Sequence, residues 1–89
     1  MLEELLKKLN INSKGEYTQD GSYVINISNS DKWGAFYNRL GSTNLLDEDE
    51  ESSLLTEDEA SVMYSNDDFV FTLIADFREN IYKLVIKEL

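Results

Sequence analysis

The stretch that decides the fold is residues 60–88, ASVMYSNDDFVFTLIADFRENIYKLVIKE. It contains three runs in which apolar and polar residues alternate, namely residues 60–65, 69–77 and 81–88. This alternation is the period of a β-strand that buries one face. The pairs Asn66-Asp67 and Glu79-Asn80 separate the runs and suit two-residue hairpin turns. The stretch therefore predicts a three-stranded antiparallel meander.

The two predicted turns select the core face of the meander independently of each other. The first turn places Tyr64 opposite Phe69, and the second places Phe77 opposite Tyr82. Followed along the strands, both registers gather the same side chains on one face: Ala60, Val62, Tyr64, Phe69, Phe71, Leu73, Ala75, Phe77, Tyr82, Leu84 and Ile86. We expect this face to be buried.

The segment before the meander starts with a helix and a strand. Leucines recur at helical spacing near the start of the chain, which predicts a short amphipathic helix over residues 1–10. A turn-rich stretch follows as far as Gly21. The alternating run SYVINIS then predicts a strand over residues 22–28.

Residues 30–40 return to helical spacing and predict a second helix. Ser30 suits its N-cap, and Gly41 suits its C-terminal cap. We expect this helix, with Trp33, to pack on one face of the meander. The predicted fold class is α+β, in a single domain of residues 1–89.

The segment 56–64 allows two predictions. Thr56 and Glu59 have the spacing of a helix capping box, and Leu55 stands where a hydrophobic staple begins. The alternative is an acidic turn followed by a strand from Ala60, whose side chains pair well across the first hairpin. We prefer the strand, and the sequence leaves both open.

Composition argues against an enzyme and against a membrane protein. The chain has no Cys and no His, which removes the thiolate nucleophile, the common general base and the strong zinc ligands. Its four glycines are scattered singly, so no phosphate-binding loop is recognisable. No apolar run has the length of a membrane span, and the start MLEELLKKLN is too short and charged for a signal peptide. We expect a cytoplasmic, non-enzymatic protein without a cofactor.

The net charge of −10 is concentrated in one part of the chain. Between Arg39 and Arg78 there is no basic residue, whereas the rest of the chain holds eight basic and seven acidic residues. A patch of this sign repels phosphate and anionic lipid and attracts basic protein surfaces, so direct nucleic-acid or membrane binding is not expected. Ten acids are the candidate partner-binding residues: Asp47, Glu48, Asp49, Glu50, Glu51, Glu57, Asp58, Glu59, Asp67 and Asp68.

A calcium site is the first alternative use for these acids. Asp47, Asp49 and Glu51 have the spacing of the first ligands of an EF-hand loop. Ser52 stands where that loop requires glycine, and Asp58 stands where it requires a bidentate glutamate. We expect no dedicated metal site.

The segment 42–59 is predicted to be an acidic loop with a charge density comparable to that of a phosphate backbone. Residues 47–59 hold eight acids in thirteen positions. Coiled as a helix, they carry one charge per roughly 2.5 Å, against about 1.7 Å along duplex DNA. Extended at about 3.3 Å per residue, they carry one charge per roughly 5 Å, against about 3.4 Å along one DNA strand. The pairs Leu45-Leu46 and Leu54-Leu55 flank the acids. These leucines either pin the loop to the core or stay exposed as apolar anchors in an interface.

The chain resembles a known type of protein in several features. These are the loop DEDEESSLLTEDE (47–59), the further pair Asp67-Asp68, the small size, the lack of Cys and the predicted supporting antiparallel sheet. The chain is similar to the small acidic α+β inhibitors of phages and mobile elements, such as anti-CRISPR proteins and DNA mimics that inhibit uracil-DNA glycosylase. The resemblance implies a non-enzymatic inhibitor that presents a nucleic-acid-like surface to a basic groove of a nucleic-acid-binding protein. A CRISPR effector or another defence or repair nuclease is the implied partner. The alternative is a small interaction, immunity or adaptor protein whose acidic loop is mainly solubilising.

Overall fold

The computed structural model describes residues 2–11 and 13–89 of the chain. These residues form α1 (Leu2–Lys8), β1 (Glu16–Tyr17), β2 (Tyr23–Ile27), α2 (Ser30–Ser42), β3 (Asp47–Leu55), β4 (Glu59–Ser65), β5 (Phe69–Asp76) and β6 (Ile81–Glu88). The strands make one antiparallel sheet in the order β1-β2-β6-β5-β4-β3. The predicted mixed α+β class is confirmed.

The predicted three-stranded meander is wrong as a description of this sheet. The strands β4, β5 and β6 are neighbours, but β2 adds to them beyond β6 and β3 adds beyond β4. The strand β3 lies within residues 42–59, which were predicted to be a loop. Acidic residues disfavour strands on propensity alone, and here pairing with β4 overrides that preference.

The first hairpin has a register different from the predicted one. Tyr64 pairs with Phe71, because the loop consists of Asp67 and Asp68 and not of Asn66-Asp67. The backbone N–H of Asn66 donates to the carbonyl of Phe69 at 3.0 Å, and the Asn66 side-chain oxygen accepts from the N–H groups of Asp68 and Phe69. The register is shifted by two residues, so each side chain keeps its predicted face.

The second hairpin shows the same kind of shift, with Ala75 opposite Tyr82. The Asp76 side chain accepts from the N–H groups of Arg78 and Glu79, which holds a four-residue loop between Asp76 and Ile81. The last residue of that loop, Asn80, has a left-handed backbone with φ of 53°. Phe77 therefore lies in the loop and is half-buried, whereas every other residue of the predicted core face is buried.

The two alternatives for residues 56–64 are resolved in favour of the strand. The Thr56 hydroxyl oxygen accepts from the N–H groups of Asp58 and Glu59, as a capping residue does. The chain then leaves this turn as β4 and not as a helix. A side-chain turn of this kind satisfies the same backbone donors in either context, which is why the capping pattern did not distinguish them.

The predicted packing of one helix on the meander is also wrong, because two helices contribute to one core. We call the sheet face that carries Phe71, Leu73 and Leu84 the covered face. Both Phe36 and Leu40 of α2 are buried in the same cluster as this face, together with Leu5 of α1 and Leu9, which directly follows α1. Trp33, expected at the centre of the helix contact, is only partly buried.

The ends of the helices explain how they reach these positions. Asn10 has a left-handed backbone with φ of 57° and its N–H donates to Lys7, while the N–H of Ile11 donates to Leu6. These two bonds form a Schellman motif that turns Ile11 into the core. The N-cap of α2 is Asn29 and not Ser30, since the Asn29 side chain accepts from the N–H of Lys32.

The predicted role of Gly41 as a C-terminal cap is wrong as well. Gly41 lies inside α2, which continues to Ser42. A Cβ atom at Gly41 would lie 3.4 Å from the Tyr64 hydroxyl, which is an ordinary contact distance, so the helix passes beside the tyrosine at this position. Within residues 2–11 and 13–89 there is no helix of the length and apolarity that a membrane crossing needs.

Candidate interaction surface at the sheet edge

The acidic segment forms one edge of the sheet. We define the acidic edge as the eight acids of β3, of the turn that follows it and of the first position of β4: Asp47, Glu48, Asp49, Glu50, Glu51, Glu57, Asp58 and Glu59. Two further candidate residues, Asp67 and Asp68, occupy the loop between β4 and β5. All ten candidate side chains are exposed.

Pairing with β4 fixes the direction and the facing of these acids. Asp47 pairs with Ser65 and Asp49 with Met63, so the start of β3 lies beside the strand end that leads into the Asp67-Asp68 loop. Consecutive acids in this ladder are separated by a rise of about 3.3 Å. Glu48 pairs with the buried Tyr64 and shares its covered face, while Asp47 and Asp49 point to the opposite face.

A bulge interrupts the acidic edge between Asp49 and Leu54. It is organised by Asp49, whose side chain accepts from the backbone N–H of Ser52 at 3.3 Å and from the Ser52 hydroxyl at 3.0 Å. The Ser53 hydroxyl donates to the carbonyl of Asp49 at 2.9 Å. The bulge therefore has its own hydrogen bonds and holds Glu50 and Glu51 in a defined turn.

Asp58 forms an ion pair with Arg78 in the loop between β5 and β6. Its carboxylate lies 3.0 Å from Nε of Arg78. Both side chains are exposed, so this ion pair contributes little to stability. It does make Asp58 a poorer choice than Glu57 for testing the charge of the edge.

The leucine pairs behave differently from one another, which settles the alternatives left open by the sequence. Leu46 is buried and pins the start of the edge to the core. Leu45 is 38% exposed, Leu54 is 46% exposed and Leu55 is 81% exposed. The second pair is therefore an exposed apolar feature between two blocks of acids.

A groove of about 320 Å³ separates α2 from the acidic edge. It exists because α2 packs against β2, β5 and β6 and leaves the β3–β4 end of the covered face open. Ala60 and Val62 form part of its lining from the sheet side. The two walls consist of Trp33, Gly34, Tyr37 and Asn38 from α2 and of Glu48, Ser53, Leu54 and Leu55 from β3.

Tyr64 lies behind this groove and connects it to the core. Its side chain is 1% exposed, and its hydroxyl donates to the carbonyl of Tyr37 at 3.5 Å. Burial raises the pKa of Tyr64 to about 12, and the negative charge of Glu48 adds to the increase, followed by Tyr37.

The groove was not predicted from the sequence. Trp33 was expected to pack on the meander, whereas it is partly buried, and its neighbour Tyr37 is 37% exposed. The one available signal was Gly34, an unfavourable residue inside a helix. A Cβ at Gly34 would meet nothing within 4 Å, so the glycine borders open space.

The acids do not converge on a point. Among residues 2–11 and 13–89, no group of three or more carboxylates is positioned to hold a metal ion. The acids follow one another along the sheet edge and do not gather around one position. Comparison of the chain with protein-family models, with curated proteins and with solved structures found no match.

Proposed function

We propose that this protein is a non-enzymatic inhibitor whose acidic edge occupies a basic, nucleic-acid-binding groove of another protein. A CRISPR effector or another defence or repair nuclease is the partner class that fits. The observation that carries the proposal is the position of the acids on a strand at the edge of the sheet. A sheet edge is a narrow ridge, and a ridge of this kind can enter a groove.

Charge spacing supports the proposal. In the regular part of the ladder, Asp47, Glu48 and Asp49 follow one another with a rise of about 3.3 Å along the strand, close to the rise of about 3.4 Å per phosphate along one DNA strand. Glu48 points to the covered face and its two neighbours point to the opposite face, so both faces of the edge carry charge. The backbone of β3 is fixed by pairing with β4, so the acids need little ordering when a partner binds. A preformed linear array of this density competes for the cationic side chains that otherwise bind phosphates.

Exposed leucines support selectivity. Charge alone gives an interaction that is sensitive to salt and tolerant of many partners. Leu54 and Leu55 lie between Glu51 and Glu57 and are among the most exposed large apolar residues of the described chain. Apolar anchors at the centre of a charged surface supply the burial that distinguishes one basic groove from another.

Two variants with the same net charge test the proposal. The edge-reversal variant carries Glu50→Lys, Glu51→Lys and Glu57→Lys, and the control-reversal variant carries Glu16→Lys, Glu79→Lys and Glu88→Lys. Each substitution adds two positive units to the net charge of −10, so both variants have a net charge of −4. All six glutamates are exposed, and within residues 2–11 and 13–89 their side chains form no hydrogen bond or ion pair.

The measurement is capture of binding partners from nuclease-treated cell extract by the immobilised wild-type protein and by both variants, at low and at high salt. We expect the wild type and the control-reversal variant to retain a nucleic-acid-binding protein that the edge-reversal variant loses. Equal retention by the two variants would contradict the proposal, because the location of the charge would then be irrelevant.

A second function has its own supporting observation. An edge strand with charged side chains and a bulge is a device that prevents pairing of sheet edges between molecules. The acids would then keep a small interaction or adaptor protein soluble. A glutamine variant separates the two functions, because lysine still protects an edge and glutamine does not. It carries Glu50→Gln, Glu51→Gln and Glu57→Gln. Protection alone predicts that the glutamine variant self-associates while partner capture by the edge-reversal variant is unchanged.

A further inference from the structure

The groove between α2 and the acidic edge has a composition that selects one kind of side chain. Trp33 and Tyr37 lie along one wall with their ring centroids 6.0 Å apart and their planes inclined by 31°. Ala60 and Val62 add apolar surface. Glu48 is the one charged residue in the described lining, and it lies on the wall opposite the aromatic rings.

Apolar surface, aromatic rings and a carboxylate together match arginine better than any other side chain. The arginine stem is apolar and can cover Val62 and Leu55, as long cationic side chains do. The planar guanidinium stacks on aromatic rings and can bind a carboxylate through two parallel hydrogen bonds. Lysine has a compact, strongly hydrated ammonium that gains less from both contacts.

The size of the groove fits this occupant. The groove volume of about 320 Å³ is at the lower end of the range of ligand pockets, which begins at about 300 Å³. Glu50, Glu51 and Glu57 lie within a few residues along the chain of the β3 wall, and the sequence has no basic residue between Arg39 and Arg78. The electrostatic field therefore favours a cationic occupant over a neutral one.

We propose that this groove receives an arginine side chain from the basic surface of the partner, with the guanidinium held between Glu48 and the rings of Trp33 and Tyr37. This inference rests on the proposed function, since it assumes a basic partner. It adds that one arginine of the nucleic-acid-binding groove is taken out of its phosphate-binding role and held in a defined site.

Two peptides of equal charge, hexa-arginine and hexa-lysine, are the probes. Trp33 is the only tryptophan of the chain, so its fluorescence reports occupancy of the groove directly. We expect hexa-arginine to bind about fivefold to tenfold more tightly than hexa-lysine and to change the Trp33 emission at saturation, as a stacked guanidinium should. The binding constants are measured for both peptides at the same salt concentration.

Glu48→Gln and Asp47→Asn form a matched pair of variants. Each removes one negative charge from adjacent residues of β3, but Glu48 lines the groove on the covered face and Asp47 points to the opposite face. We expect Glu48→Gln to abolish the preference for hexa-arginine, because this variant loses the carboxylate partner of the guanidinium. In Asp47→Asn, the ratio of the two peptide binding constants should stay within about twofold of the wild-type ratio.

The outcomes distinguish a failure of the groove from a failure of the proposed function. If both peptides bind equally, with no change in Trp33 emission and with binding lost in the edge-reversal variant, the acidic edge stands and the arginine site is overturned. If Glu48→Gln and Asp47→Asn reduce the preference equally, the arginine site is also overturned. If neither peptide binds even at low salt, both proposals fail.

Discussion

Glu48 and Tyr64 lie directly opposite each other across β3 and β4, with an exposed carboxylate beside a tyrosine that is 1% exposed. This pair joins the acidic edge to the hydrophobic core. The phenol of Tyr64 also reaches the carbonyl of Tyr37 in α2. The same buried side chain therefore contacts α2 beside the groove and lies on the strand that pairs with the acidic edge.

The free energy of unfolding should fall between about pH 10 and pH 12 because of Tyr64. The pKa of Tyr64 is raised to about 12 in the folded protein, from an ordinary value of 10.0. The unfolded chain therefore loses this proton first, so the contribution is complete below pH 10 and is lost as the pH rises towards 12. After a discount for solvent screening, we expect a loss of about 1–2 kcal/mol.

Urea unfolding of the wild type and of Tyr64→Phe over this pH range measures the effect. The free energy of unfolding of the wild type should fall relative to that of Tyr64→Phe as the pH rises, because only the wild type has a phenol that ionises at this position. A constant difference from pH 9 to pH 12 would show that the phenol ionises as easily in the folded protein as in the unfolded chain.

Asn66 should determine the stability of the first hairpin. Its side-chain oxygen accepts from the N–H groups of Asp68 and Phe69, both at 2.8 Å. We expect Asn66→Ala to lower the free energy of unfolding by about 1–2 kcal/mol, because two backbone donors lose their partner. Asn66→Asp keeps the acceptor and should recover most of the loss at physiological salt. Equal destabilisation by both substitutions would contradict this assignment.

Gly15 should tolerate no side chain. A Cβ at this position would lie 2.5 Å from the carbonyl oxygen of Val24 and 2.9 Å from both Ile25 and Tyr23. We expect Gly15→Ala to destabilise the protein by about 1–3 kcal/mol, since backbone has to move. Thermal unfolding should show a lower midpoint for this variant, and an unchanged midpoint would mean that β2 can shift without cost.

Gly34→Ala should raise stability and weaken the arginine site together. A Cβ here would meet nothing within 4 Å, so the substitution gains helix propensity of about 0.5–1 kcal/mol without a clash. The same methyl group lies in the wall of the groove and should reduce the preference for hexa-arginine. A stabilised variant that keeps the full preference would place the peptide elsewhere.

The sequence predicted the strands of residues 60–88 well because alternation of apolar residues reports directly on a buried face. It missed the exact hairpin loops, since Asn66 and Asp76 close them through side-chain hydrogen bonds that several nearby turn residues could have supplied. An error of two residues in register leaves the faces unchanged. Face and register are thus separate questions, and only the first is encoded in the pattern.

The acidic segment was harder to predict, because nothing in DEDEESS favours a strand. Its strand is imposed by β4, whose outer edge pairs with Asp47, Glu48 and Asp49. The candidate acids could be named from the sequence because charge needs no structure to be recognised. The order of these acids along one sheet edge could not be predicted from the sequence. The groove could not be predicted either, because it depends on α2 and β3 lying on the same side of the sheet.

The most direct test of the central proposal is competition between this protein and an oligonucleotide for the captured partner, measured by fluorescence anisotropy of the labelled oligonucleotide. We expect complete displacement by the wild type and by the control-reversal variant, with a midpoint that rises in proportion to the oligonucleotide concentration, and no displacement by the edge-reversal variant. A stable ternary complex, in which the partner keeps the oligonucleotide while it binds this protein, would contradict the account.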